Sequence, residues 1–129
     1  MKILFIAGGR RNQLAKYFKR DNIRIDSYEL DLNCPISLEC ENIIKGRKWS
    51  DNKIKNELNI LSKKYNLVVP FHDQASQILS DLNLKNSCVS ESKTCTLCLN
   101  KNKFEKFFLS DSELSEYYPK YDGGHAVIK

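Results

Sequence analysis

Short apolar runs alternate with stripes of helical period along most of this chain. The first run is KILFIA at 2–7, rich in β-formers and stopped by Gly8 and Gly9. RRNQLAKYFKR then places Leu14, Ala15 and Phe18 at helical spacing, with Arg and Lys on the other side. The opening therefore reads as strand, tight glycine turn and helix. IRIDSYELD follows as a second strand with Ile23, Ile25 and Leu30 as inward positions. LNCPISLECENIIK reads as a loop or short helix and then a weak strand, because Pro35 breaks any long element there.

Ser50 and Asp51 are candidate caps for a helix over DNKIKNELNILSKKY, whose Ile54, Leu58 and Leu61 form one stripe. NLVVPF is continuously apolar, as expected of a strand buried on both faces of a parallel sheet. HDQASQILSDLNL is the next helix, with Asp73 as its expected N-cap, and KNSCVSES supplies a short fifth strand. Two short helices, about 92–99 and 102–109, carry Leu97, Phe104, Phe107 and Phe108. From Ser110 the chain turns polar, and Pro119, Gly123 and Gly124 punctuate it as a linker before HAVIK, which reads as the start of another strand. Strands alternating with helices predict an α/β fold: an open parallel sheet of about five strands, helices on both faces, Rossmann-like. The expected organisation is a domain over 1–109, a linker over 110–124, and the first strand of a further domain over 125–129.

Composition changes this picture little. The 129 residues are 41% hydrophobic and 29% charged, ordinary for a single globular domain. The net charge of +5 comes from lysines spread along the chain, the pattern of solvated helix faces. In NKNKFEKFF the aromatics fall at helical spacing, which favours core packing over base stacking, so no nucleic-acid partner is expected. No apolar run approaches the roughly 20 residues of a membrane span, and MKILFIAGG is too short for a signal peptide. No membrane partner and a cytoplasmic location are expected. The five cysteines, an odd number, read as reduced thiols. Cys95 and Cys98 form a CxxC, but no second closely spaced ligand pair accompanies it, which disfavours zinc. The motif also lies too late in the chain for a thioredoxin-like role, and the two thiols read as small apolar residues on a helix.

The strand–glycine–helix turn invites a dinucleotide reading. AGGRRNQL has only the adjacent glycines, however, and lacks the third glycine of that fingerprint. Glu29 or Asp31 could serve as the ribose acid. Backbone N–H groups at the helix start, beside Arg10 and Arg11, could instead hold a small anion. No Walker A pattern is present. Asp31 falls at the carboxyl end of the second strand, and His72 and Asp73 at that of the fourth, the ends that face the ligand crevice in open α/β sheets. Ordinary structural roles compete for each: loop capping for Asp31, a turn for His72, an N-cap for Asp73.

Taken together, KILFIAGGRRNQLAKYFK, SYELDLNCPIS, NLVVPFHDQASQIL and CVSESKTCTLCLNKNKFEKFFL, with YYPKY and HAVIK beyond them, resemble the N-terminal region of ATP-grasp ligases. The likeness is greatest to the carbamoyl-phosphate-synthase-like group of carboxylate–amine ligases. It extends over essentially the whole chain and rests on the order and spacing of motifs that are each loose. The Asp-Lys pair of that group stands here as Asn102-Lys103, and its Pro-Thr-Pro linker is reduced to Tyr118-Pro119-Lys120. The resemblance implies a substrate-side domain of a ligase that joins a carboxylate to an amine through an acyl phosphate. It implies ATP and Mg2+ in the full-length parent, with Lys103 and Lys129 at the nucleotide phosphates, and it leaves a homodimer open. Gly8, Gly9, Arg10, Asp31, His72 and Asp73 would then line the substrate crevice. HAVIK would be the first strand of the lid domain, and the chain by itself, lacking the ATP-grasp lobes, would be inactive. The competing reading is a stand-alone α/β module that binds a small anion without catalysis. A nucleotide-cofactor oxidoreductase domain is disfavoured by the missing glycine.

Overall fold

The structure is a computed structural model that describes residues 1–117. Lys129, HAVIK and the last part of the expected linker, 118–124, lie outside the described residues. Four strands form one parallel sheet: β1 (Lys2–Ile6), β2 (Arg24–Glu29), β3 (Asn42–Lys45) and β4 (Leu67–Pro70), in the order β3-β2-β1-β4. The helices are α1 (Asn12–Arg20), α2 (Ile54–Ser62), α3 (Asp73–Asp81), α4 (Ser92–Leu99), α5 (Lys101–Ser110) and the single turn α6 (Leu114–Tyr117). A 3-10 turn, Pro35–Leu38, stands between β2 and β3 with Pro35 at its first position, where the missing N–H costs nothing; Pro35 starts this element rather than breaking one. No helix among the described residues is long and apolar enough to cross a membrane.

The two-residue period of β1 divides the core. Leu4 and Ile6 face Ile54 and Leu58 of α2 and Ala75, Ile78 and Leu79 of α3. Ile3 and Phe5 face Ala15 of α1 and Ile36 of the 3-10 turn. Helices thus cover both faces, as parallel sheets require. Phe5 is fully buried and meets Phe71 edge-on, with ring centroids 4.8 Å apart. Burying a side chain of this size contributes about 1.5–3 kcal/mol.

Several sequence expectations shift by a residue or a face. Leu30 lies beyond the end of β2 and is 54% exposed; the buried apolar positions on that strand are Ile25, as expected, and Tyr28. Leu14 is exposed, and α1 packs through Ala15 and Phe18. The fifth strand shrinks to one parallel bridge between Val68 and Ser87. There Val68 donates to the Asn86 carbonyl and Cys88 donates to that of Val68, at 2.8 and 2.9 Å. Positive φ at Asn83 turns the chain in front of this bridge. α4 packs on α3 and α5 on α4, without fully buried residues of their own. Phe104 and Phe108 pair at 4.9 Å along α5, while Phe107 is exposed.

Candidate functional site

From β1 the chain winds to β2 and β3 on one side, then crosses to β4 on the other. Connections therefore leave the carboxyl ends of β1 and β4 in opposite directions, and a crevice opens between them. A cavity of about 250 Å³ lies here, lined among others by Ala7, Glu29, Asp31, Trp49 and His72. Ala7 ends β1 in the left-handed region at φ 57°, its amide donating to the Tyr28 carbonyl at 3.0 Å. That conformation costs a non-glycine residue about 1–2 kcal/mol and is held by the elements around it.

The glycine turn begins at the next residue. A Cβ on Gly8 would lie 3.1 Å from Ile36 Cδ1 and 3.1 Å from Phe5 Cβ, so the turn packs directly on the core. The Arg11 amide returns to the Gly8 carbonyl at 2.6 Å, and the Ile36 amide donates to that of Gly9 at 3.1 Å. The amides of Gly8 and Gly9 both donate to the carboxylate of Glu29 at the end of β2. Ser27 Oγ donates to the same carboxylate at 2.5 Å. Glu29 is only 6% exposed. Burial pushes its carboxyl above the usual range, against these three hydrogen bonds, which favour the charged form. Arg10 is exposed beside the turn, and the Arg11 guanidinium lies over the Phe71 ring, 5.6 Å from its centroid.

The opposite wall comes from the β3–α2 loop. Tyr28 Oη donates to Glu57 at 3.0 Å and accepts from the Arg47 amide at 2.9 Å. Burial, with a smaller contribution from Glu57, raises this phenol to about 12. The Arg47 guanidinium binds Glu57 of α2 and also Asp51 of the loop, the latter at 3.0 Å, so its charge is spent on these two carboxylates. Trp49 stacks on His72 with centroids 5.1 Å apart and planes 22° from parallel. His72 Nδ1 accepts from the Gln74 amide at 3.2 Å. The N-cap of α3 is therefore His72 and not Asp73, which is the first helical residue, so the helix starts one position earlier than expected.

Gly8, Gly9 and Arg10 form the turn beside the crevice, and Asp31 and His72 line its wall. Asp31 Oδ1 also accepts from the Asn33 amide at 2.9 Å, the loop-capping role. Asp73 instead lines a shallow depression with Ser76 and Cys98 against α4. Lys103 sits exposed on the first turn of α5, its amide held by the capping Asn100 side chain at 3.1 Å, and does not line the crevice. Arg47 and Trp49 went unread in sequence. The only signal for Trp49 was its status as the sole tryptophan, set in a polar loop.

ATP and Mg2+ do not fit this crevice. The amides that could hold a phosphate are taken by Glu29, and Lys103 lies elsewhere. Among the described residues no group of three or more His, Cys, Asp or Glu could hold a metal ion.

No family model matches the chain, and no curated protein matches it. Solved structures do. N5-carboxyaminoimidazole synthetase from Staphylococcus aureus, complexed with ADP, superposes with a TM-score of 0.64 at 17% identity, over 84% of this chain and 29% of its own. N5-carboxyaminoimidazole ribonucleotide synthetase from Thermotoga maritima gives 0.62 at 18%, over 84% and 30%. Glycinamide-RNase-transformylase T from Mycobacterium tuberculosis gives 0.64 at 9%, over 89% and 36%. At such identities the likeness is one of fold. The chain spans about a third of the length of each.

Proposed function

We propose that this chain is the N-terminal, substrate-side domain of an ATP-grasp ligase that joins a carboxylate to an amine through an acyl phosphate. The observation that carries the reading is the fold match over 84% of the chain to a synthetase complexed with ADP, of which the matched part is 29%. The motif order in the sequence points to the same enzymes, and the structural neighbours are ATP-grasp ligases. Nucleotide and Mg2+ would be held by lobes beyond this domain, where an acyl phosphate needs cations on the transferring oxygens. Lys103 and Lys129 would reach the phosphates from the domain edge. Gly8, Gly9, Arg10, Asp31 and His72 would shape the side that takes the small-molecule substrates, and Asp73 would flank it. A cytoplasmic setting suits such an enzyme.

The stand-alone anion-binding module loses its main support, because the glycine amides it would use already bind Glu29.

The test is carboxylate-dependent ADP release by a protein in which this domain precedes ATP-grasp lobes. Such a protein should release ADP only with both carboxylate and amine present, and Lys103→Ala should raise KM for ATP. The 129-residue chain alone should turn over no ATP. Dinucleotide binding by the chain, indifferent to ATP, would overturn the reading in favour of an oxidoreductase domain.

A further inference from the structure

In sequence the Gly8–Gly9 turn looks like a place for phosphate: two glycines, two arginines and a helix start after a strand. In the fold it is already occupied. The Glu29 carboxylate takes the amides of both glycines, and a Cβ on Gly9 would lie 3.4 Å from Glu29 Oε2. We propose that Glu29 is a built-in anion that closes the glycine turn to phosphate and thereby sets the ligand class of the crevice.

Three features make the closure durable. Ser27, itself fully buried, donates to Glu29 and fixes the carboxylate from beneath. The Glu29 carbonyl accepts from the Gly46 amide at 2.7 Å, and the residue pairs with Lys45 in the β2–β3 register, so its backbone cannot drift from the turn. Withdrawing the side chain would strand two glycine amides and leave the Ser27 hydroxyl only the long contact to the Phe5 carbonyl, at 3.5 Å. A phosphate arriving at the turn would therefore meet a filled site of its own charge, whatever Arg10 and Arg11 contribute at the rim. With Glu29 and Asp31 on the crevice wall and the Arg47 guanidinium neutralised by Glu57 and Asp51, the crevice favours ligand groups that donate hydrogen bonds. This inference stands on the geometry of the turn and does not depend on the ligase reading.

The experiment follows the Gly8 and Gly9 amide resonances of the 15N-labelled chain during a titration with inorganic phosphate. In the wild type neither resonance moves in the millimolar range. In Glu29→Ala and Glu29→Ser, both move, with phosphate binding tightened by roughly tenfold or more. Ser27→Ala removes one of the holds on Glu29 without altering core packing. It gives a smaller response of the same kind and carries the test should the Glu29 variants not fold. Movement of the glycine resonances in the wild type overturns the proposal. So does a folded Glu29 variant that stays indifferent to phosphate, and so, where only Ser27→Ala folds, does indifference in that variant.

Discussion

Asp26 offers the sharpest energetic test of how the sheet is held. It is 2% exposed and accepts three hydrogen bonds: from Lys2 Nζ at 2.9 Å, Tyr65 Oη at 2.7 Å and Asn42 Nδ2 at 2.9 Å. These tie β2 to the first residue of β1, to β3 and to the chain leaving α2. Asp26→Asn keeps the shape and removes the charge. The Lys2 side chain is 38% exposed and can turn to water, so its loss counts for little. Tyr65 is 8% exposed and cannot. Its bond falls from charge-assisted to neutral, at about 1 kcal/mol, and the new amide sets donor against donor among buried partners, at about 1–3 kcal/mol. The expected loss is thus about 2–4 kcal/mol, read from urea midpoints at constant m-value. Burial raises the Asp26 pKa, but bonds from Lys2, Tyr65 and Asn42 outweigh it, and the carboxyl is held below the ordinary aspartate range. A depressed carboxylate stabilises above its unfolded pKa and loses that contribution as pH falls through the folded one. The gap between wild type and Asp26→Asn should therefore be full at neutral pH and narrow below about pH 4. A loss under about 0.5 kcal/mol, or a gap that stays constant into acid, would refute the reasoning.

Other outcomes follow from the crevice and its supports. Gly46→Ala puts a Cβ 2.7 Å from Tyr28 Cε1 and should cost about 1–3 kcal/mol in thermal or urea unfolding. His72→Ala removes the α3 cap at about 1 kcal/mol; since Trp49 is the only tryptophan and stacks on His72, its emission should shift in the same variant. Thiol labelling should begin at the exposed Cys88 and Cys98, with Cys40 last, because burial and neighbouring carboxylates push its thiol up to about 12.

The sequence made the strand–helix alternation legible because the apolar runs at β1 and β4 and the stripes of α2 and α3 supply much of the core. The turn residues were also readable, since Gly8, Pro35 and the chain around His72 sit where the backbone must change direction. The fifth strand failed because pairing at Ser87 is a single bridge, and no local pattern in KNSCVSES fixes how far a ladder runs. Reading Leu30 as inward and Asp73 as the cap failed for a related reason. Each depends on where an element ends, and that is set by Glu29 and His72 bonding to distant or neighbouring amides rather than by periodicity.

The β2 strand explains why the site itself was hardest to read. Its sequence RIDSYE puts four consecutive residues, Asp26, Ser27, Tyr28 and Glu29, into the buried centre of the sheet. By apolar pattern such a strand is weak. It is stable because each polar group meets a partner from another element, and the alternation sends them to opposite faces. Asp26 and Tyr28 look toward α2, where Tyr65 and Glu57 bind them. Ser27 and Glu29 look toward the glycine turn. The same device does two jobs along one strand: near its amino end a carboxylate locks the sheet, and at its carboxyl end another occupies the turn where an open α/β sheet would receive phosphate. The specificity of the crevice is therefore written into a core strand rather than into the loops around it, so substitutions in the exposed loop at Asp31 should alter ligand affinity without reopening the turn.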